Sequence, residues 1–256
     1  MFSGFLTAFR TLCILPLPGK DVAKFSRSLP WFPLVGLLLG GMTLALFSLL
    51  QPLFSPEVTA LFLLIFITLL TGGLHLDGLA DWADGIFGGQ TKERRLEIMK
   101  DSNLGSFAGI ALGLLFFSKW VALVELSKHP AGMALLLAFL FSRSGMAALA
   151  AFYPYARKEG TAYSFIAQAK PWQGLVALGL AASLALLLVG PWGLVPLGAS
   201  LLFMGIFGAW MKVKVGGITG DLLGSYNELT ETGLLLGLAL FPCQFSAGYL
   251  SQWGLL

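Results

Sequence analysis

The chain has 256 residues, 57% of them hydrophobic and 11% charged, with a formal net charge of +3. A water-facing surface carries about 25% charged residues, so a soluble domain is excluded. The small net charge, with aromatics confined to apolar runs, leaves no footprint for nucleic acid. No Asp, Glu, Lys or Arg occurs in 28–56, 58–75, 171–211 or 232–256, and a membrane helix needs about 20 apolar residues. The expected fold is an all-α integral membrane protein: one domain over 1–256, a polytopic bundle of about seven transmembrane helices.

The first element, 1–17, is apolar but carries Arg10 and no small-residue cleavage site. It reads as an amphipathic or interfacial segment rather than a signal peptide. Seven spans follow, at roughly 30–50, 57–76, 104–124, 131–151, 173–190, 193–211 and 232–251. The uncharged run 171–211 is about twice too long for one crossing, and Gly190-Pro191-Trp192-Gly193 supplies a turn within it. The last residues of the final run either complete a span or lie at the interface. Cys13 and Cys243 sit in apolar stretches without metal-ligand spacing and read as free buried thiols.

Thirteen of the sixteen Lys and Arg residues fall in alternate loops, which places those loops in the cytoplasm. Lys119 lies near the outer end of its span, and Arg143 lies inside another. An ionisable residue at that depth faces the bundle interior and is a functional candidate.

The acids are concentrated on the basic side. Asp77, Asp81 and Asp84 share one helical face, within an arc of about 60°. Like charges so spaced destabilise a helix, and a divalent cation would explain them. Oxygen-only ligands favour Mg²⁺, Mn²⁺ or Ca²⁺ over zinc. A solvated acidic face is the plain alternative, although no Lys or Arg lies between residues 76 and 91 and glycines flank the cluster. His75, just before it, reads as a hydrogen-bonded helix-end histidine, or else as a ligand or base.

Residues 91–102 form a short helix by pattern. Its Arg94, Arg95 and Lys100 are suited to phosphate oxygens, or to ordinary anchoring and pairing with Glu93 and Glu97. Asp101 either caps the next helix or joins the metal site. Gly216-Gly217-Ile218-Thr219-Gly220-Asp221 is a second glycine-rich turn ending in an acid, with backbone N–H groups able to cradle phosphate at Gly217 and Gly220. Asp221, Glu228 and Glu231 are expected in the last cytoplasmic loop. Beyond Arg143, the stretch Tyr153-Pro154-Tyr155-Ala156-Arg157 lies near the cytoplasmic end of its span and can complete a polar pocket with it.

The string from Gly72 to Gly85, with Arg95-Leu96-Glu97-Ile98-Met99-Lys100-Asp101-Ser102, closely resembles the cobalamin synthase family, adenosylcobinamide-GDP ribazoletransferase. The N-terminal segment from Leu6-Thr7 to Leu15-Pro16-Leu17-Pro18, Tyr155-Ala156-Arg157-Lys158-Glu159-Gly160 and Gly216 to Gly224 resemble it as well. Trp82 and Ser225-Tyr226-Asn227 depart from its pattern. The resemblance implies a multi-pass enzyme of the bacterial inner membrane with its site facing the cytoplasm. It would join adenosylcobinamide-GDP to α-ribazole, or its 5′-phosphate, and release GMP with Mg²⁺ as cofactor.

It further implies Asp77, Asp81, Asp84, Asp101 and Asp221 as metal- or phosphate-site residues; by the chemistry of the reaction, an Asp not fully engaged by metal, Asp81 or Asp84, is the expected base. Arg94, Arg95, Lys100, Arg143, Arg157, Gly217 and Gly220 are left to substrate phosphates. Homo-oligomer formation is left open. Two other classes fit these residues less well. A CDP-alcohol phosphotransferase expects Asp-Gly-x-x-Ala-Arg, but Ala80 is followed here by Asp81; an ion-coupled transporter expects acids at the membrane midplane.

Overall fold

A computed structural model describes residues 2–129, 132–160 and 162–240. Among them there is no strand, only one parallel bridge between Tyr155 and Ile218. The N-terminal segment is α1 (Phe2–Leu12), its Leu6, Ala8, Phe9 and Leu12 buried. A strap returns beneath it. Arg10 holds this strap through the carbonyls of Leu17 and Gly19 and through Asp21 at 3.1 Å.

A short 3-10 turn (Phe25–Trp31) leads into α2 (Phe32–Leu50). Next come α3 (Pro56–Thr71), α4 (Leu74–Gly88), α5 (Lys92–Ile98), α6 (Ser106–Ser127) and α7 (Gly132–Phe152). After the single-turn α8 (Tyr163–Ile166) the chain continues as α9 (Pro171–Val189), α10 (Leu194–Val215) and α11 (Gly220–Ala239).

The central pillar is α7. Its apolar stretch is 89% buried, against 28–39% for the other runs long and apolar enough to cross a membrane. Small residues bring neighbouring backbones close, the usual basis of packing where lipid tails are as apolar as the helices. Gly36 and Gly40 of α2 seat on Phe139 and Leu136 of α7, and α9 presents Gly174, Ala177, Ala181 and Ala185 as a buried ridge. Leu61, Leu69, Leu114, Phe117, Leu187 and Leu202 lie exposed on the outside, where acyl chains replace water.

Among the described residues, length and apolarity pick out four runs, or five with the α3–α4 pair, and do not confirm the expected count of seven. The run Pro171–Val215 spans 45 residues, about 67 Å if straight. It is interrupted by a 3-10 turn at Gly190–Gly193, where Gly190 has φ +62° and Gly193 packs against Ala185. It is therefore an antiparallel pair, as the turn residues predict.

The expectation for the last span fails. Its helix begins at Gly220, not near 232, and Glu228 and Glu231 are not in a loop but buried inside α11. Lys119 is likewise not near an outer surface. It pairs with Glu228 at 2.7 Å and Glu231 at 2.9 Å, while Arg143 pairs with Glu231 and lies over the Phe139 ring. Residues 241–251 of that expected span, and Cys243, lie outside the described residues; Cys13 is a free buried thiol.

Candidate active site

Two glycines set the site. Gly72 and Gly73 have φ +63° and +69°, a left-handed pair that Cβ-bearing residues avoid. They end α3 and turn α4 by 89°. Thus α4 does not continue the crossing but lies across the bundle, at the level of the loop before α11. Gly78 touches the start of α11 there: a Cβ would fall 2.7 Å from the Asp221 carbonyl oxygen. Gly78→Ala should separate α4 from α11, destabilise the protein by about 1–3 kcal/mol and depress activity. Thermal unfolding in detergent reads the first effect, and wild-type stability would refute it.

The loops around Asp221 are tied together. Ile218 N–H donates to the Pro154 carbonyl at 2.8 Å, and Ala156 N–H to the Ile218 carbonyl at 3.0 Å. Gly217, at φ +157°, lies flat against Pro154. This pairing delivers Arg157 to Asp221 Oδ2 at 2.7 Å. Thr219 caps α11 and also donates to Oδ2, leaving Oδ1 for a ligand.

The carboxylates are within electrostatic range of one another. Burial first, then the Asp221 and Asp77 carboxylates, push Asp81 up to about 7 against the opposing charge of Arg157, with Asp84 adding a smaller push. Because the unfolded chain releases this proton near 3.8, the contribution to stability is full below that pH and lost as pH rises through about 7. Metal-free protein should therefore melt progressively lower from pH 5 to 8, and Asp81→Asn should flatten part of that slope. An unchanged slope would show that Asp81 is not held protonated.

Asp84 is engaged differently. Its carboxylate oxygens accept the N–H groups of Gly105 at 2.7 Å and Ala108 at 3.0 Å, capping α6 from a neighbouring helix. Asp101 does not cap α6; it accepts two hydrogen bonds from Asn103 in a local turn. Among the described residues no three His, Cys, Asp or Glu side chains converge closely enough to enclose a metal ion. The donor set nonetheless suits an oxygen-seeking cation with few protein ligands. Among the described residues Asp77 and Asp81 have no hydrogen-bond or ion-pair partner, and Asp221 keeps one oxygen free.

The basic candidates divide. Arg157 stands in the site and reaches the Met99 carbonyl, while Arg95 donates to the Lys214 carbonyl at 3.3 Å nearby. Arg94 pairs with Glu97 on an exposed face, and Lys100 is exposed. Arg143 is fully buried and committed to Glu231 and Ser142. Gly220 lines the cavity behind the carboxylates.

The Asp84 cap escaped the sequence, signalled only by the helix start after Gly105; His75 is hydrogen-bonded at a helix end as expected, and its partner is Asn227 on α11 at 3.1 Å. Trp82 packs against Phe87, Phe207 and Trp210, which explains a bulky residue at that position.

The sequence profile described as cobalamin-5-phosphate synthase matches residues 4–239. The chain is 43% identical over 248 residues to the adenosylcobinamide-GDP ribazoletransferase of Chlorobaculum tepidum, covering 94% of this chain and 96% of that one. It is 45% identical over 236 residues to the enzyme of that name from Prosthecochloris aestuarii, covering 90% and 95%. With the one from Klebsiella pneumoniae it shares 40% over 247 residues, covering 93% and 100%. No solved structure matches it. With a match running from α1 to the end of α11 and the acidic helix at its centre, the chain belongs to the cobalamin-5-phosphate synthase family.

Proposed function

We propose that this protein joins adenosylcobinamide-GDP to α-ribazole, or its 5′-phosphate, at the cytoplasmic face of the bacterial inner membrane, releasing GMP. The observation that carries this reading is Asp81, half-buried among Asp77, Asp84, Asp221 and Arg157 beside a cavity, in a chain related end to end to ribazoletransferases. The orientation rests on the excess of Lys and Arg on that side.

In this reaction a ribazole hydroxyl attacks the cobinamide-side phosphorus. A new O–P bond forms, the anhydride P–O bond breaks, and GMP leaves with the bridging oxygen. The hydroxyl proton needs an acceptor poised near neutrality. Asp81 is raised toward that range, whereas Asp84 has its oxygens committed to α6. Asp81 is therefore the base, and Asp84 fixes where α6 begins.

Asp77 and the free oxygen of Asp221 would hold Mg²⁺. When bound, the ion supplies charge neutralisation on the pyrophosphate and the leaving phosphate. Arg157 lies beside Asp221 to steady a phosphate oxygen.

Purified protein in phospholipid nanodiscs, given adenosylcobinamide-GDP, α-ribazole and Mg²⁺, should release one GMP per corrinoid product and lose activity with a chelator. Absence of GMP across several lipid compositions would refute the reading.

A further inference from the structure

Behind the carboxylates lies a cavity of about 370 Å³ with apolar walls that include Leu12, Leu29, Phe32, Met146, Phe165 and Leu223. Ligand pockets run about 300–1,000 Å³, so this one takes a bicyclic base but not a corrin macrocycle. Arg10 and Thr11 also reach it, but their donors go to Leu17, Gly19, Asp21 and Thr7. His75 differs. It is 3% exposed, lines the cavity, and its Nε2 has no partner.

A chain of contacts fixes what Nε2 offers. Lys119 donates to Glu228 Oε2 at 2.7 Å, so Glu228 is a carboxylate and only accepts. Its Oε1 lies 3.3 Å from the Asn227 side-chain amide, so the atom facing it is the NH₂ group. That NH₂ also lies 3.1 Å from His75 Nδ1 and donates to it. With Nδ1 accepting, the imidazole proton sits on Nε2. His75 thus brings one N–H donor to a chamber whose lining, the Asp77 and Asp221 carboxylates aside, is mostly apolar, and a buried donor without an acceptor is a deficit that a ligand relieves.

Resting on the ribazole-transfer reading, we propose that this cavity seats the base of the acceptor nucleoside, with His75 Nε2–H donating to its unsubstituted ring nitrogen and the ribose toward Asp77 and Asp81. A benzimidazole riboside has one ring nitrogen bound to ribose and the other a bare acceptor, with no N–H on the base. One donor in an apolar cavity matches one acceptor on an apolar bicycle. His75 is then a specificity-determining residue.

The test compares α-ribazole with the matching dimethylindole riboside, in which a C–H replaces the free nitrogen. GMP release is measured with nanodisc-held protein, and KM is measured for both substrates. Wild type should favour α-ribazole by about ten- to hundred-fold. His75→Phe should erase that preference with KM for adenosylcobinamide-GDP unchanged, and His75→Gln, which keeps a donor, should restore part of it.

Wild type accepting the indole analogue equally well overturns the inference without any variant. So does His75→Phe retaining the preference, or raising KM for adenosylcobinamide-GDP instead. In each case GMP release from wild type with α-ribazole leaves the transferase reading standing.

Discussion

Asp81→Asn should lower GMP release by about 10²–10⁴-fold, with the protein still folded and no less stable at pH 8. The two halves of this result have separate origins. Asp81 is held near Asp221, Asp77 and Asp84, with Arg157 the opposing charge, so its ionised form raises the energy of the free protein. An amide removes that repulsion and, with it, the proton acceptor. Asp84→Ala should behave in the opposite way. It strips the cap from α6 at a cost of about 0.5–2 kcal/mol, and any loss of rate should follow the loss of structure. Parallel rate and unfolding measurements distinguish the two. An Asp81→Asn enzyme of undiminished rate would remove Asp81 from the chemistry.

Lys119→Met should be the most destabilising single replacement in the bundle, at about 3–5 kcal/mol. Lys119 Nζ serves both Glu228 and Glu231, and all three side chains are almost completely buried. Methionine replaces the volume but leaves Glu228 without a cation, since Arg143 pairs with Glu231. Adding Glu228→Gln should restore most of the loss, because the orphaned charge goes rather than merely its partner. Unfolding of both variants in detergent measures the coupling. If Lys119→Met alone were as stable as wild type, the network would carry no weight in the fold.

How far the sequence anticipates these features depends on how local they are. The α4 helix with its three Asp residues, the turn at Gly190–Gly193 and the short helix after Thr91 follow from spacing, turn chemistry and capping over a few residues. Long-range pairing does not. Glu228 and Glu231 look like loop residues because an unpaired carboxylate is expensive in lipid, and their partners lie on α6 and α7, far away in sequence. Lys119 is misplaced for the same reason. The bend at Gly72-Gly73 is only half legible: the glycines announce a break, but not that α4 turns to meet α11. The acids are legible as a group, yet their roles divide only once Asp84 is seen on Gly105 and Ala108, and Asp221 on Arg157.

The buried charges also bear on how the chain is made. The cations belong to α6 and α7 and the carboxylates to α11, the last described helix. During synthesis Lys119 and Arg143 therefore enter the membrane first, and α11, too polar to be stable in lipid alone, is received by partners already in place. Its docking neutralises the pillar and brings Asp221, at the start of α11, against α4 and Arg157 in one event. Late insertion of α11 thus doubles as a checkpoint, since a chain that fails to seat it has neither a neutral core nor an assembled site.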